Sequence, residues 1–284
     1  MIMRKNQIQT YAIFLSVLLI GIGCSNNEQE EPDFGKDVAQ KVEFVLYGLP
    51  QTRATDTQFE TGDAIGVFAS TRSDRSLSDK SNYADNAKYV YSSGRFIHTG
   101  AGIAAPYESA QSATYYAVYP FIEQTTPQFS FKVRSDQSTY DALTQSDLML
   151  AIATASATAT TVPLRFDHMM SRIVVDCGDI YLDPQKDYIE IYDFSQGVKV
   201  NIATHQIETV SSSSMTNIQM YNAGNGQLQA IMSPQLLSTA RVVGSLHLGT
   251  LRRSILINTD IEMRSGFSYH LKLKKGDEDY YFQY

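Results

Sequence analysis

Apolar and polar residues alternate with a period of two along most of this chain. Val42, Phe44 and Leu46 alternate with Lys41, Glu43 and Val45, and Ile65, Val67 and Ala69 repeat the pattern after Gly62-Asp63. Tyr89 and Tyr91 lead through a Ser92-Ser93-Gly94 turn into Phe96 and Ile97. Tyr115 to Tyr119 reads as a central strand closed by Pro120, and Phe129, Phe131 and Val133 follow. The second half continues with Val162/Leu164/Phe166, Ile173/Val175/Cys177, Ile189/Ile191, and Val198/Val200/Ile202 after Gly197. Leu228/Ala230/Met232, Leu246/Leu248, Ile255/Ile257 and Tyr269/Leu271/Leu273 complete it. Successive side chains of a strand point to opposite faces, so each run predicts a strand with one buried face. Helical spacing occurs only near Asp136 to Met149. The Ala/Thr/Ser run from Ala151 to Thr161 reads as the end of one module and the link to the next. Short strands divided by Gly, Ser, Asn and Asp turns predict β-sandwiches, and each half has an ordinary sandwich size of about 100 residues.

The N-terminus follows a different pattern. Arg4 and Lys5 precede a continuous apolar stretch, Tyr11 to Ile22, that ends in Gly23-Cys24. The stretch is too short to span a bilayer and stands where an export signal stands. A cysteine directly after a small residue makes this a lipoprotein signal, although Gly21 occupies a place where a large aliphatic is usual. Cys24 would be acylated and become the first residue of the exported protein. Ser25 to Asp33 holds no apolar residue and a block of acid, which predicts a solvated tether. Its position after the cysteine resembles the surface-export signal of outer-membrane lipoproteins. The expected location is therefore the cell outer membrane, lipid-anchored and surface-exposed. Gln40 to Leu49 is apolar enough to complete a sheet, and Pro50 ends it. Thr52-Arg53-Ala54-Thr55-Asp56-Thr57 is polar and flexible, as a proteolytic nicking site should be.

Composition narrows the function classes. The net charge is −7, which argues against nucleic acid and against a basic membrane-binding face. There are two cysteines, too few for a disulfide framework once Cys24 carries lipid. Cys177, inside an apolar run, reads as a small buried hydrophobe. The five histidines show no metal-ligand spacing, and HExxH, CxxC, GxSxG and P-loop motifs are absent. Gly100 to Ala105 superficially resembles a dinucleotide fingerprint, but Pro106 follows at once and no helix pattern continues, so it reads as a loop. Asp176, Asp179, Asp183 and Asp187 read as a solvated loop rather than a cation site. His168 reads as a structural residue holding a core hydrogen bond. We therefore expect no catalytic, cofactor-binding or metal-binding residue, and no enzyme.

Several short motifs in order resemble the fimbrillin-like lipoproteins, the subunits of type V pili and their relatives. They are Phe59-x3-Asp63-Ala64-Ile65-Gly66-Val67-Phe68, Tyr115 to Pro120, Asp147 to Ala151, Leu164 to His168 with Ser171 to Val175, Ser233-Pro234-Gln235, and Gly266 to Tyr269. The resemblance implies an all-β protein: two tandem transthyretin-like (Greek-key) β-sandwich domains, no cofactor, and other pilus subunits as partners. Its domain division is 1–23 signal peptide, 24–53 tether and removable first strand, 54–158 N-terminal sandwich and 159–284 C-terminal sandwich. It also implies that an arginine-specific surface protease cuts between Arg53 and Ala54, releasing the strand of Val42, Phe44 and Leu46. A strand from a neighbouring subunit then fills the groove, and repetition gives a filament. The donor expected here is Tyr280-Tyr281-Phe282-Gln283-Tyr284, short for the role, which leaves stalk and tip both open. The competing expectation is a permanently anchored outer-membrane lipoprotein that binds glycan or host protein through exposed tyrosines.

Overall fold

The alternating runs form strands, and two curled sheets account for nearly all of them. The computed structural model describes residues 40–48, 59–106, 110–123, 126–222, 224 and 226–284. The export signal, Cys24, the acidic tether and the Arg53-Ala54 bond lie outside these residues.

In chain order the elements begin with β1 (Glu43–Leu46), β2 (Ala64–Ser70), β3 (Ala84–Ser92), β4 (Arg95–His98), β5 (Ser112–Tyr119) and β6 (Gln128–Phe131). The helix α1 (Tyr140–Thr144) follows, then β7 (Met149–Ser156), β8 (Thr161–Leu164), β9 (Asp167–His168) and β10 (Ser171–Asp176). The remainder are β11 (Tyr188–Asn201), β12 (Gln206–Gln219), β13 (Tyr221–Asn222), β14 (Gln227–Met232), β15 (Leu236–Leu237), β16 (Gly244–Leu248), β17 (Leu251–Ile257), β18 (Ile261–Glu262), β19 (Ser268–Lys275) and β20 (Tyr280–Gln283). The first sheet runs β8-β1-β4-β3-β2-β5-β7-β9 and the second β12-β11-β16-β17-β20-β19-β10-β14-β13, with β6 beside β11 and a small β15-β18 pair apart.

The helical spacing near residue 140 yields one short helix. Thr139 caps it, its hydroxyl accepting from the Ala142 amide. The Ala/Thr/Ser run corrects the linker expectation. Residues up to Ser156 form β7, which pairs with β5 along its whole length. Its alanines lie opposite a tyrosine-rich strand, Ala153 facing Tyr115 and Ala151 facing Ala117, and the small side chains leave room for the Tyr115 ring in the core. Composition therefore concealed a strand whose job is to be thin. The chain visits the second sheet once at β6, returns to the first for β7, β8 and β9, and stays out of the first sheet from β10 onward.

Three buried clusters hold the fold. Phe44, Tyr89, Phe96, Tyr115 and Phe166 fill the first sheet, and Ile173, Ile191, Leu228, Leu246, Leu271 and Phe282 the second. The third cluster joins Phe68, Tyr116, Val118 and Leu150 on the opposite face of the first sheet to Val198 and Val200 of β11 and to Ile202 just beyond it. The two runs around Gly197 are one strand of 14 residues. Its first half pairs with β16 and its second half with β6. Gly197 has φ +105°, and a Cβ there would strike the Phe131 carbonyl oxygen as β6 crosses.

Several polar residues of the sequence motifs are held by hydrogen bonds to one another or to residues outside the motifs. The Tyr119 hydroxyl donates to Asp63 Oδ1 at 3.2 Å, and the Glu60 amide donates to Oδ2 at 2.8 Å. His168 Nδ1 lies 2.8 Å from Asp147 Oδ2, both side chains buried, which gives the core role expected of this histidine. Asp193 Oδ1 accepts from the Ser195 amide and from Gln235 Nε2, and Oδ2 from the Ser233 amide. The Tyr269 hydroxyl donates to the Glu262 carbonyl and accepts from the Arg264 amide.

Candidate functional site

The first strand is the feature whose position bears most directly on function. Val42 and Phe44 are fully buried, and Leu46 packs on the same core. β1 is an interior strand. It runs parallel to β8, with Phe44 opposite Val162 and Leu46 opposite Leu164, and antiparallel to β4, with Phe44 opposite Phe96. The Glu43 amide donates to the Thr160 carbonyl and the Tyr47 amide to the Leu164 carbonyl, each at 2.8 Å. Before β4 begins to pair, the Gly/Ala loop supplies the other edge. The Val42 amide donates to the Ile103 carbonyl, and the Ala105 amide to the Gln40 carbonyl. Residues 100–105 thus form a loop, as expected, with a role the sequence did not show: it closes one end of the slot.

Inside the slot Phe44 meets Tyr89 edge-on at 4.8 Å and Tyr115 at 5.3 Å between ring centroids. The Tyr89 hydroxyl donates to the Val42 carbonyl at 3.1 Å and accepts from the Ile103 amide at 2.9 Å. Burial pushes the Tyr89 hydroxyl above the ordinary tyrosine range, so it remains a neutral donor, and burial pushes Tyr115 up to about 12. Tyr89 was missed as a site residue because its run identifies only a strand. Arg95 and Glu43 pair at 2.9 Å on the surface above, partly in solvent, where such a pair contributes little.

The terminal strand β20 occupies a similar place in the second sheet. It runs parallel to β17 and antiparallel to β19, with Phe282 fully buried and opposite both Ile257 and Leu273. Tyr280 and Tyr281 are half-buried, and Tyr284 is exposed. In this chain the candidate donor residues therefore complete their own sheet. The removable-strand and donor residues lie in separate sheets, and no contact brings them together among the described residues.

One polar cluster has the residue types of a catalytic triad without its geometry. Ser245 Oγ lies 3.0 Å from His247 Nε2, and Glu190 Oε2 lies 3.1 Å from the same nitrogen. A relay needs the acid and the hydroxyl on different ring nitrogens. Arg252 and Asn217 also approach Glu190 Oε2, and Tyr188 stacks on His247 at 4.2 Å, so the group is a knot of charge on the sheet face. Three of the four aspartates cap turns: Asp176 accepts from the Gly178 amide, Asp183 from the Gln185 amide, and Asp187 from the Asp183 and Gly249 amides. Among the described residues no group of three or more His, Cys, Asp or Glu is placed to hold a metal. Cys177 is buried, and burial pushes its thiol up to about 11, so it lacks the thiolate character of a nucleophile.

The family profile described as fimbrillin-like matches residues 52–280. No curated protein matches the chain. A solved candidate cell adhesion protein from Bacteroides uniformis is 20% identical, with a TM-score of 0.60, covering 86% of this chain and 96% of its own. Another from Bacteroides ovatus is 16% identical, with a TM-score of 0.60, covering 85% and 98%. A third from Bacteroides thetaiotaomicron is 16% identical, with a TM-score of 0.55, covering 82% and 94%. At these identities the likeness is one of fold.

Proposed function

The chain belongs to the fimbrillin-like family, a family of non-enzymatic cell-surface proteins, and from that premise we propose that it is a structural subunit, stalk or tip, of a type V pilus. It is exported, lipidated at Cys24, cut between Arg53 and Ala54 by an arginine-specific surface protease, and assembled by strand exchange to support adhesion. The modules are 54–158 and 159–284, the second contributing β8 and β9 to the first sheet. As a stalk subunit it would lend a neighbour the C-terminal segment with Tyr280, Tyr281, Phe282 and Tyr284, which would first leave its place between β17 and β19.

The observation that carries this reading is the seat of β1. A strand that ends only a few residues before Arg53 fills the slot between β8 and β4 with two fully buried apolar side chains. Cutting at Arg53 frees its far end, and its departure would expose unpaired edges on both sides, a template for another strand. The second reading, a permanently anchored lipoprotein binding glycan or host protein, draws on Tyr181 and Tyr47, which are 81% and 69% exposed.

Limited digestion of the purified precursor with an arginine-specific protease separates the two. The pilus reading expects a new N-terminus at Ala54 and a cut product that takes an added strand into the slot left by residues 40–49. A cut product that keeps residues 40–49 and takes up no added strand, or cuts confined to Arg72 and Arg75, supports the anchored reading instead.

A further inference from the structure

The shape of the slot around β1 restricts what can replace it, a restriction that rests on the strand-exchange reading above. Two positions define the slot. At position 42 the side chain is small, β-branched and fully buried, and the chain there is gripped from both directions by Ile103 and the Tyr89 hydroxyl. At position 44 the side chain is an aromatic ring held between Tyr89 and Tyr115. Close-packed interiors tolerate neither a ring where a valine fits nor an unpaired carboxylate there.

The terminal strand of this same chain cannot meet both demands. If any residue from Tyr280 to Tyr284 takes position 44, the residue two places earlier takes position 42, and that residue is Glu278, Asp279, Tyr280, Tyr281 or Phe282. Each is acidic or aromatic. Reversing the strand direction brings Phe282, Gln283 or Tyr284 to position 42 for the registers that reach it, which is no better. We infer that the strand accepted into the slot comes from a different chain, not from a second copy of this one. That strand carries a small or β-branched apolar residue two places before an aromatic residue, and it lies parallel to β8. The subunit is then a member of a mixed polymer and does not extend a filament of its own kind.

The test uses the full chain, cut by the arginine-specific protease, and synthetic strands. These are the peptide of residues 40–49, the same peptide with Val42→Tyr or Phe44→Ala, and the peptide of residues 276–284. Binding is read by calorimetry and by mass spectrometry of the complex. The unaltered 40–49 peptide is expected to bind. The Val42→Tyr and 276–284 peptides are expected to bind about tenfold more weakly or worse, and the Phe44→Ala peptide on the order of a hundredfold more weakly. Binding of the 276–284 peptide within about twofold of the unaltered one, or growth of long oligomers from this chain alone, overturns the inference. If no peptide enters the cut chain, strand exchange itself fails, and the intact precursor decides the slot. There Val42→Tyr must lower Tm while Val42→Ile leaves it nearly unchanged; equal Tm values overturn the selectivity.

Discussion

Phe44 shows at the residue scale how a single ring ties the removable strand to its sheet. It contacts Tyr89 and Tyr115 edge-on, a geometry that adds about 0.5–1.5 kcal/mol beyond burial. Phe44→Ala in the precursor should therefore cost about 3–5 kcal/mol in urea unfolding. A cost below that of an ordinary surface substitution would show that β1 is not seated as described. Asp193 is the other decisive residue. Both of its oxygens accept from N–H donors, so Asp193→Asn turns an NH₂ towards at least one of them and should cost about 1–3 kcal/mol. Its carboxyl is raised above the usual range, burial outweighing the hydrogen bonds that lower it. The folded state thus takes up a proton before the unfolded chain does. As pH falls from neutral through the raised value towards the ordinary carboxylate value, the parent should gain stability relative to Asp193→Asn. Paired urea melts at descending pH check this, and a gap that shrinks would reverse the sign argued here.

At the scale of elements, β1 and β20 are interior strands with a parallel neighbour on one side and an antiparallel neighbour on the other. An interior strand is held by two ladders, so its amides should exchange slowly until it leaves. Hydrogen exchange should find the Val42, Glu43 and Tyr47 amides protected in the precursor. After cleavage at Arg53, the Leu164 and Ile103 carbonyls that received Tyr47 and Val42 need new partners, and protection across β8 and β4 should fall unless another strand arrives. Unchanged protection after complete cleavage would mean that the strand stays. The pairing of β7 with β5 illustrates why element type was readable where β-branched and aromatic residues alternate and unreadable in an alanine run. Alanine has weak strand preference, and only a tyrosine-rich neighbour gives its small size a purpose.

For the whole molecule, the long hairpin of β11 and β12 couples the sheets, its outer half packing on the first sheet while its inner half belongs to the second. Strand loss at β1 therefore occurs in a sheet braced from its other face, which favours an empty slot over general unfolding. Anchoring belongs to this scale too. Cys24→Ala should abolish lipid incorporation and shift the protein from the detergent phase to the aqueous phase on partition; unchanged partition would remove the lipid anchor from the scheme. The alternating pattern by itself determined that the chain is all-β, placed most of the strands, and excluded a disulfide framework, because side-chain period and cysteine count are local properties. The family resemblance marked Asp63, Tyr119, Asp147, His168 and Ser233-Pro234-Gln235 as motif positions without saying that Tyr119 bonds Asp63, that His168 meets Asp147, or that Ser233 and Gln235 donate to Asp193. The tertiary structure alone decided those pairings, the Tyr89 bridge to Val42, the loop at Ile103 as a slot wall, and the seat of the terminal strand in its own sheet. Each joins residues far apart in the chain, and a period of two carries no information about which strand lies beside which.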